Sequence, residues 1–426
     1  MSDSPAKFPP HRNTCDIGMQ PLNVVMIGPF GMRPRMTMQV RALPLAKALV
    51  VRGNTVTILL PPWQNPEDAG RRWNEEGVEI ENVPVPRGMP GWFHWRLALH
   101  LVRRARELNP DVVHTFKPKA YAGLAHLALA RRYPVVVDTD DWEGPGGWNT
   151  MGAYPPLLQR FFTWQERWGL THARAVTVAS RALQTLVWSM GGAPERVFYL
   201  PNGASPHDEG QTSLAPPRTE PGRRPTVLLY TRFFEYDLAR LWRLMRAVRA
   251  RCCQVRFIVV GKGFAAEEER LLQMARSENW HVVVTEDTLP DADLVYAGWG
   301  TEDKLPRCFA AADIAIYPFD DTLLNRTKCP VKLMDLLSAG VPVVGDAVGQ
   351  VADAVVPGKT GMLVQAGDEP RFAEAVLGLL EVPEELAAMR ETVRQDMAER
   401  FAWTHLSEVA ENAYRYACGD KLDGAM

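Results

Sequence analysis

The chain has 426 residues, 46% of them hydrophobic and 23% charged, a length and balance that point to about two globular domains. A formal net charge of −2 supplies no global field to recruit nucleic acid, so any anion site must be a local cluster. No apolar run is long enough to span a bilayer, and the polar start from Met1 to Gln20, read as a flexible tail, lacks the apolar block of a signal peptide; a cytoplasmic protein is expected.

Asn23 to Gly28 reads as an apolar strand entering the loop GPFGMRPRMTM, Gly28 to Met38. Gly28 and Gly31 suit a sharp turn with close backbone approach, and Thr37 is placed to cap a helix running from about Thr37 to Val51, before Arg52-Gly53. The loop lacks GxGxxG, which argues against an NAD enzyme and leaves open both a tight turn without ligand and a contact to a diphosphate or acceptor. Val56 to Leu60 is the next strand. From Pro90 to Asn109, Trp92, Phe93 and Trp95 mix with Arg96, Arg103, Arg104 and Arg106. An apolar stripe packed on the sheet is the expected reading, and peripheral contact with an anionic membrane is the alternative.

Asp111 to His114 reads as a strand that ends at His114 and is followed by Lys117 and Lys119. The strand Pro134 to Val137 leads into Asp138, Asp140, Asp141 and Glu143, four carboxylates that repel one another unless hydroxyls, cations or a metal compensate them. Three uses compete: sugar hydrogen bonding or general-base work, a divalent metal on Asp138-Thr139-Asp140, and structural pairing with helix ends or arginines. Ala175 to Ala179 and Val197 to Leu200 complete a first run of strands alternating with helices, the pattern of βαβ units. The first domain is therefore expected over 21–204.

The proline-rich interval 205–225 reads as a linker. The same alternation then restarts with Thr226 to Tyr230, Val255 to Val260 before Gly261-Lys262-Gly263, His281 to Val284, Ala312 to Tyr317 and Val341 to Val344, giving a second domain over 226–400. Arg232 lies at the end of its first strand, where a fixed cation can face a phosphate. From Asn325 to Val344 a basic turn with Lys328 and Lys332 precedes a short helix stopped by Gly340 and then a buried strand. Cations beside the amides of a helix start suit a diphosphate. The fold class is thus α/β: two Rossmann-like, doubly wound domains facing across a cleft, with a closing helix at 401–420 returning to the first. Six scattered cysteines show neither CxxC nor zinc spacing, and Cys329, within the basic turn, is expected to pack as a small buried hydrophobe.

These residues resemble the family-4 glycosyltransferases of the GT-B fold over nearly the whole chain. The likeness is most specific in CPVKLMDLLSAGVPVV, DAVGQVADAVVPGKTGMLVQAGD and RFAWTHLSEVAENAYR, and RVFYLPNG adds to it. The resemblance implies transfer of a sugar from a nucleoside diphosphate, UDP or GDP, to an acceptor hydroxyl, with retention at the anomeric carbon and no essential metal or further cofactor. It implies that Arg232 and Lys332 hold the diphosphate as catalytic residues, with Asp335 near the donor. The residues themselves add Gly31, Thr37, Gly261 and Lys328 as expected donor contacts, Asp140 and Asp141 as expected catalytic residues, and His114, Lys117 and Asp140 as expected contacts to the sugar or acceptor. The chain departs from the family pattern at four positions. Of two acidic residues spaced by seven, the second is Asp335 but the first is Thr327. Leu238 stands where a lysine is expected, Met36 where a loop glycine is expected, and Asp140 where many relatives carry a histidine. A nucleotide-sugar-binding protein without transfer, a sugar-nucleotide epimerase and a metal-dependent transferase are the alternatives. Acceptor identity and oligomeric state stay open.

Overall fold

The structure, a computed structural model, describes residues 20–86, 90–151, 154–204, 223–285, 288–300 and 304–419. The expected tail and linker fall almost wholly outside the described residues. Two compact units form, one from the chain up to Pro201 and again from Trp403, the other from Asn202 to Ala402.

The first unit contains β1 (Asn23–Ile27), β2 (Thr55–Leu60), β3 (Arg72–Glu75), β4 (Val78–Asn82), β5 (Val112–Phe116), β6 (Val135–Thr139), β7 (Ala175–Val178) and β8 (Val197–Tyr199). They lie in the order β3-β4-β2-β1-β5-β6-β7-β8, parallel except for β3, which pairs antiparallel with β4. The near-continuous Val, Ile and Leu of the inner strands fit a sheet covered on both faces. On one face the helices Leu43–Val51 and Trp403–Cys418 bury Leu45, Leu49, Leu406, Ala410 and Tyr414 against the strands. On the other, the helix Pro90–Glu107 buries Leu97, Leu101 and Ala105, so its apolar stripe packs on the sheet as expected. Its opposite side leaves Trp92, Trp95 and Leu99 exposed. The returning helix is tied down by Glu411, which accepts from Asn54 at 2.7 Å and pairs with Arg52 at 2.8 Å.

The second unit contains β9 (Thr226–Tyr230), β10 (Arg256–Val260), β11 (Val282–Val284), β12 (Leu294–Tyr296), β13 (Ile314–Tyr317), β14 (Val343–Asp346) and β15 (Gly361–Val364), all parallel in the order β11-β12-β10-β9-β13-β14-β15. Chain order reverses between β1 and β5 in the first sheet and between β9 and β13 in the second, and ligands of open α/β sheets bind at the carboxyl end of such a switch. Among the described residues no helix is long and apolar enough to cross a membrane.

Four strands were not expected: β3, β4, β12 and β15. The hairpin of β3 and β4 turns at Glu76 and Gly77, both at positive φ, 51° and 86°, which suits a two-residue turn between twisted strands. His114 is mid-strand rather than terminal, because β5 continues through Phe116 in register with β6 up to Asp138.

Each sheet edge carries a buried ion pair. Arg41 donates to Asp138 through Nε at 2.7 Å and Nη2 at 2.6 Å, with exposures of 1% and 0%, and Thr177 donates to the same carboxylate at 2.6 Å. Arg240 donates through Nη2 to both oxygens of Asp346, at 2.7 and 2.9 Å, and Asp346 also accepts from the Phe319 amide at 2.7 Å. Removing one partner of such a pair strands a buried charge. Asp138→Ala is expected to destabilise the first unit by about 3–5 kcal/mol in urea unfolding; a loss below about 1 kcal/mol, the scale of an exposed pair, would show that the pair does not hold the edge.

Candidate functional site

In the second unit β9 ends at Tyr230, and Thr231 organises the turn that follows. Its hydroxyl accepts from the Phe233 amide and the Tyr236 hydroxyl, each at 2.8 Å, and holds Phe233 at φ 66°. Arg232, two residues past the strand, is carried between two rings, its Cζ 4.9 Å from the centroid of Phe264 and 4.8 Å from that of Trp299. Its Nε is buried with no hydrogen-bond partner among the described residues. Gly261, at the end of β10, has φ +134°, and a Cβ there would lie 1.8 Å from the Thr231 carbonyl oxygen. Only glycine lets these two backbones meet.

The basic turn lies beyond β13. A short helix, Leu323–Thr327, capped by the Thr322 side chain, delivers Lys328, and the helix Val331–Ser338 carries Lys332 and Asp335 one turn apart. The Lys328 ammonium lies 3.1 Å from Glu235 and 4.2 Å from the Phe234 ring; that of Lys332 lies 3.7 Å from the Tyr230 ring and 5.2 Å from Trp299. Burial lowers Lys332 to about 8, with Arg232 and Lys328 pushing the same way and Asp335 and Glu235 opposing. The structure thus gathers Arg232, Lys328, Lys332, Asp335 and Gly261 at one sheet edge. Three cations face two carboxylates, among aromatic rings that attract them without hydrogen-bonding as a carboxylate would.

The departures from the family pattern have plain environments. Thr327 is buried and donates its hydroxyl to the Leu323 and Leu324 carbonyls. Leu238 packs in the core as the first residue of the helix Leu238–Arg251. Cys329 is buried, its Sγ accepting from the Asn202 amide at 3.2 Å, which agrees with a packing role.

In the first unit Lys117, at the end of β5 with φ 54°, gathers the carboxylates that follow β6. Its ammonium lies 3.0 Å from Asp140, 2.9 Å from Asp141 and 3.6 Å from Glu143, and Lys119 pairs with Glu143. Burial works against the Lys117 charge, but the three carboxylates outweigh it and raise its pKa well above the ordinary value. Burial alone would raise Asp140, yet Lys117 and then Arg41 hold it below its ordinary value, so it is a carboxylate at neutral pH. Cations therefore compensate the acidic cluster, and among the described residues no three His, Cys, Asp or Glu side chains converge as metal ligands.

Three expectations here need correction. His114 is 0% exposed, its ring nitrogens lying 2.9 Å from the Tyr414 hydroxyl and 3.3 Å from that of Thr177, and burial lowers its pKa to about 4. A ring enclosed in this way does not reach an acceptor. Thr37 has helical backbone angles and makes no cap; its hydroxyl points instead to Asp140 at 3.4 Å, next to a π-helical turn, Met38–Ala42, that turns Arg41 inward. Gly31 is not required by close packing, since a Cβ there would meet nothing nearer than 3.6 Å, whereas one at Gly28 would press on Met38 at 2.7 Å. Arg41, Glu235, Phe264 and Trp299 were missed, and Lys119 was noted beside Lys117 without a role. Arg41 left a trace as one of two cations, with Lys47, in an otherwise largely apolar helical pattern.

The chain matches two family profiles, "Glycosyl transferase 4-like domain" over residues 37–203 and "Glycosyl transferases group 1" over residues 224–382, together well over half its length. It is 24% identical over 349 residues to a GDP-mannose-dependent alpha-mannosyltransferase of Mycobacterium tuberculosis (strain CDC 1551 / Oshkosh), covering 77% of this chain and 80% of that one. It is also 24% identical over 365 residues to a GDP-mannose-dependent alpha-(1-6)-phosphatidylinositol monomannoside mannosyltransferase of Mycolicibacterium smegmatis, covering 83% and 88%. Sucrose-phosphate synthase from Thermosynechococcus elongatus superposes with a TM-score of 0.65 at 17% identity, over 92% of this chain and 98% of that one. HepE of Anabaena, solved with UDP, gives 0.61 at 18%, over 92% and 99%.

Gly261→Ala is expected to destabilise the second unit by at least about 2 kcal/mol, because an added carbon meets fixed backbone at a positive φ. Gly31→Ala is the control and should cost under about 1 kcal/mol. Equal losses in thermal unfolding would show that the close approach does not fix the loop carrying Arg232.

Proposed function

We propose that this chain, which belongs to the family-4 glycosyltransferases of the GT-B fold, moves a sugar from a GDP- or UDP-sugar to an acceptor hydroxyl with retention at the anomeric carbon. The observation that carries the donor assignment is the cation cluster of the second unit, where Arg232 has a buried Nε with no partner among the described residues, in one cluster with Lys328 and Lys332. A buried donor without an acceptor costs free energy that a phosphate oxygen would recover.

In this reading the bond from the anomeric carbon to the diphosphate oxygen breaks, and its electron pair leaves with the diphosphate. Arg232 and Lys332 meet the growing charge on the phosphates, and Lys328, steadied by Glu235, adds to the local field. Gly261 lets the turn carrying Arg232 approach the ligand. The acceptor oxygen bonds to the anomeric carbon, and its proton passes to the oxygen of the departing diphosphate. In the same reading Asp140, a carboxylate held by Lys117 and Thr37, hydrogen bonds the sugar or the acceptor hydroxyl, with Asp141 beside it. The exposed Trp92, Trp95 and Leu99 near Arg96 and Arg103 favour work at an anionic membrane surface.

Arg232→Ala and Lys332→Met are each expected to raise the Kd for GDP or UDP by at least about tenfold, about 1.4 kcal/mol, by calorimetry. Lys332 is charged below about pH 8 and neutral above it, so affinity should fall as pH rises through 8 and the Lys332→Met protein should lose that dependence. Unchanged affinity in both folded variants would move the diphosphate elsewhere.

Asp140→Asn should retain nucleotide binding while turnover drops by about a hundredfold or more. Normal turnover would remove Asp140 from the chemistry. The anomeric configuration of the product, read by NMR, tests retention.

A further inference from the structure

In the first unit the helix Pro156–His172 turns Phe162, Gln165, Glu166 and Gly169 inward, three and four residues apart and therefore on one side. Each meets the loop after β5 or the loop after β6. The Gln165 side chain accepts from the Ala120 amide at 2.8 Å and donates to the Ala120 carbonyl at 3.2 Å, so both of its polar ends are spent where the loop after β5 enters the next helix. Glu166, 0% exposed, accepts from the Glu143 amide at 2.9 Å in the loop after β6. The Phe162 ring lies 5.8 Å from the Lys119 ammonium, and a Cβ on Gly169 would fall 2.5 Å from Pro118. One buried helix side is thus fastened to both loops.

These loops need holding. Lys117 and Ala120 have φ of 54° and 49°, left-handed values that a residue with a Cβ keeps only where its surroundings impose them. The same stretch sets where the Lys117 ammonium meets Asp140 and Asp141, and Glu143 closes the other side of that contact. Burial, and then Glu143, push the Glu166 carboxyl well above its ordinary range, with Lys119 and Lys117 pulling the other way. What Glu166 supplies to the Glu143 amide is an acceptor oxygen, which an uncharged amide side chain supplies as well.

We infer that Gln165 and Glu166 are positioning residues, a two-point latch that acts through Ala120 and Glu143 to set the contact of Lys117 with Asp140 and Asp141. That the latch governs turnover rests on the transferase reading; that it fixes the two loops does not.

The test is hydrogen exchange at the Ala120 and Glu143 amides of the full chain, read by NMR, together with release of nucleotide from GDP-mannose, UDP-glucose and UDP-N-acetylglucosamine. Gln165→Met and Glu166→Met remove the acceptors at similar volume. Each should speed exchange of its own partner amide by about tenfold or more and lower kcat by about tenfold or more, with donor KM and the affinity for GDP or UDP within about twofold of wild type. Glu166→Gln, which keeps the acceptor, should hold both exchange and kcat within about twofold. Glu166→Asp, which shortens the arm by one carbon, takes the place of a methionine variant that does not fold. Partner amides that stay slow in the folded variants, or a Glu166→Gln protein that loses as much turnover as Glu166→Met, would overturn the latch. Faster amides with unchanged kcat overturn its part in the chemistry and leave the transferase reading standing. Faster amides in a chain that turns over no nucleotide sugar uphold the latch and overturn that reading.

Discussion

A buried arginine–aspartate pair pins the carboxyl edge of each sheet, and the functional groups hang from these two points. In the first unit Arg41 locks Asp138 inside β6, so Asp140, Asp141 and Glu143 leave the strand in a fixed direction. In the second, Asp346 is clamped by Arg240 and also takes the Phe319 amide, which fixes where the chain departs β13 toward Lys328 and Lys332. The pairs need not stabilise the fold more than apolar residues would. Their effect is directional, since a charge held in place before the reaction requires no reorganisation during it.

The two units differ in how their charge is balanced, and the proposed roles follow that difference. In the first, each carboxylate of the cluster has a lysine or arginine within reach and Asp140 stays ionised, a setting suited to a neutral hydroxyl. In the second, Arg232 keeps a buried donor without a partner among the described residues, with Lys328 and Lys332 in the same cluster, a setting that favours an anion.

Apolar runs bounded by glycine and proline marked eleven of the fifteen strands, because inner strands of a covered parallel sheet read as continuous hydrophobic blocks. The missing ones are short or polar: RWNE of β3 and VEIEN of β4 lie at a sheet edge, and β12 has three residues. The cations of the second site were legible because they cluster within one segment near a glycine-stopped helix. Their aromatic neighbours were not, since Tyr230, Phe264 and Trp299 come from three separate strand ends that only the fold brings together. His114 misled because a strand's end was placed two residues early, and those two residues separate a rim position from a buried one.

In the proposed reading, aromatic rings around the cations are what lets a cluster that departs from its family's pattern suit a diphosphate. A carboxylate beside a cation stabilises it but competes with the ligand for the same charge, whereas an aromatic face stabilises a desolvated cation and leaves its N–H groups free to donate. Thr327, spending its hydroxyl on its own helix, removes one negative charge from this neighbourhood, and Leu238 removes one positive charge by joining the core. Lys328, held against Phe234 and paired with Glu235, and Lys332, held against Tyr230, supply positive charge to the same cluster. The consequence is visible in Lys332, whose burial brings its pKa down to about 8 against the pull of Asp335 and Glu235: its charge is desolvated, the condition in which an opposite charge at close range acts most strongly on it.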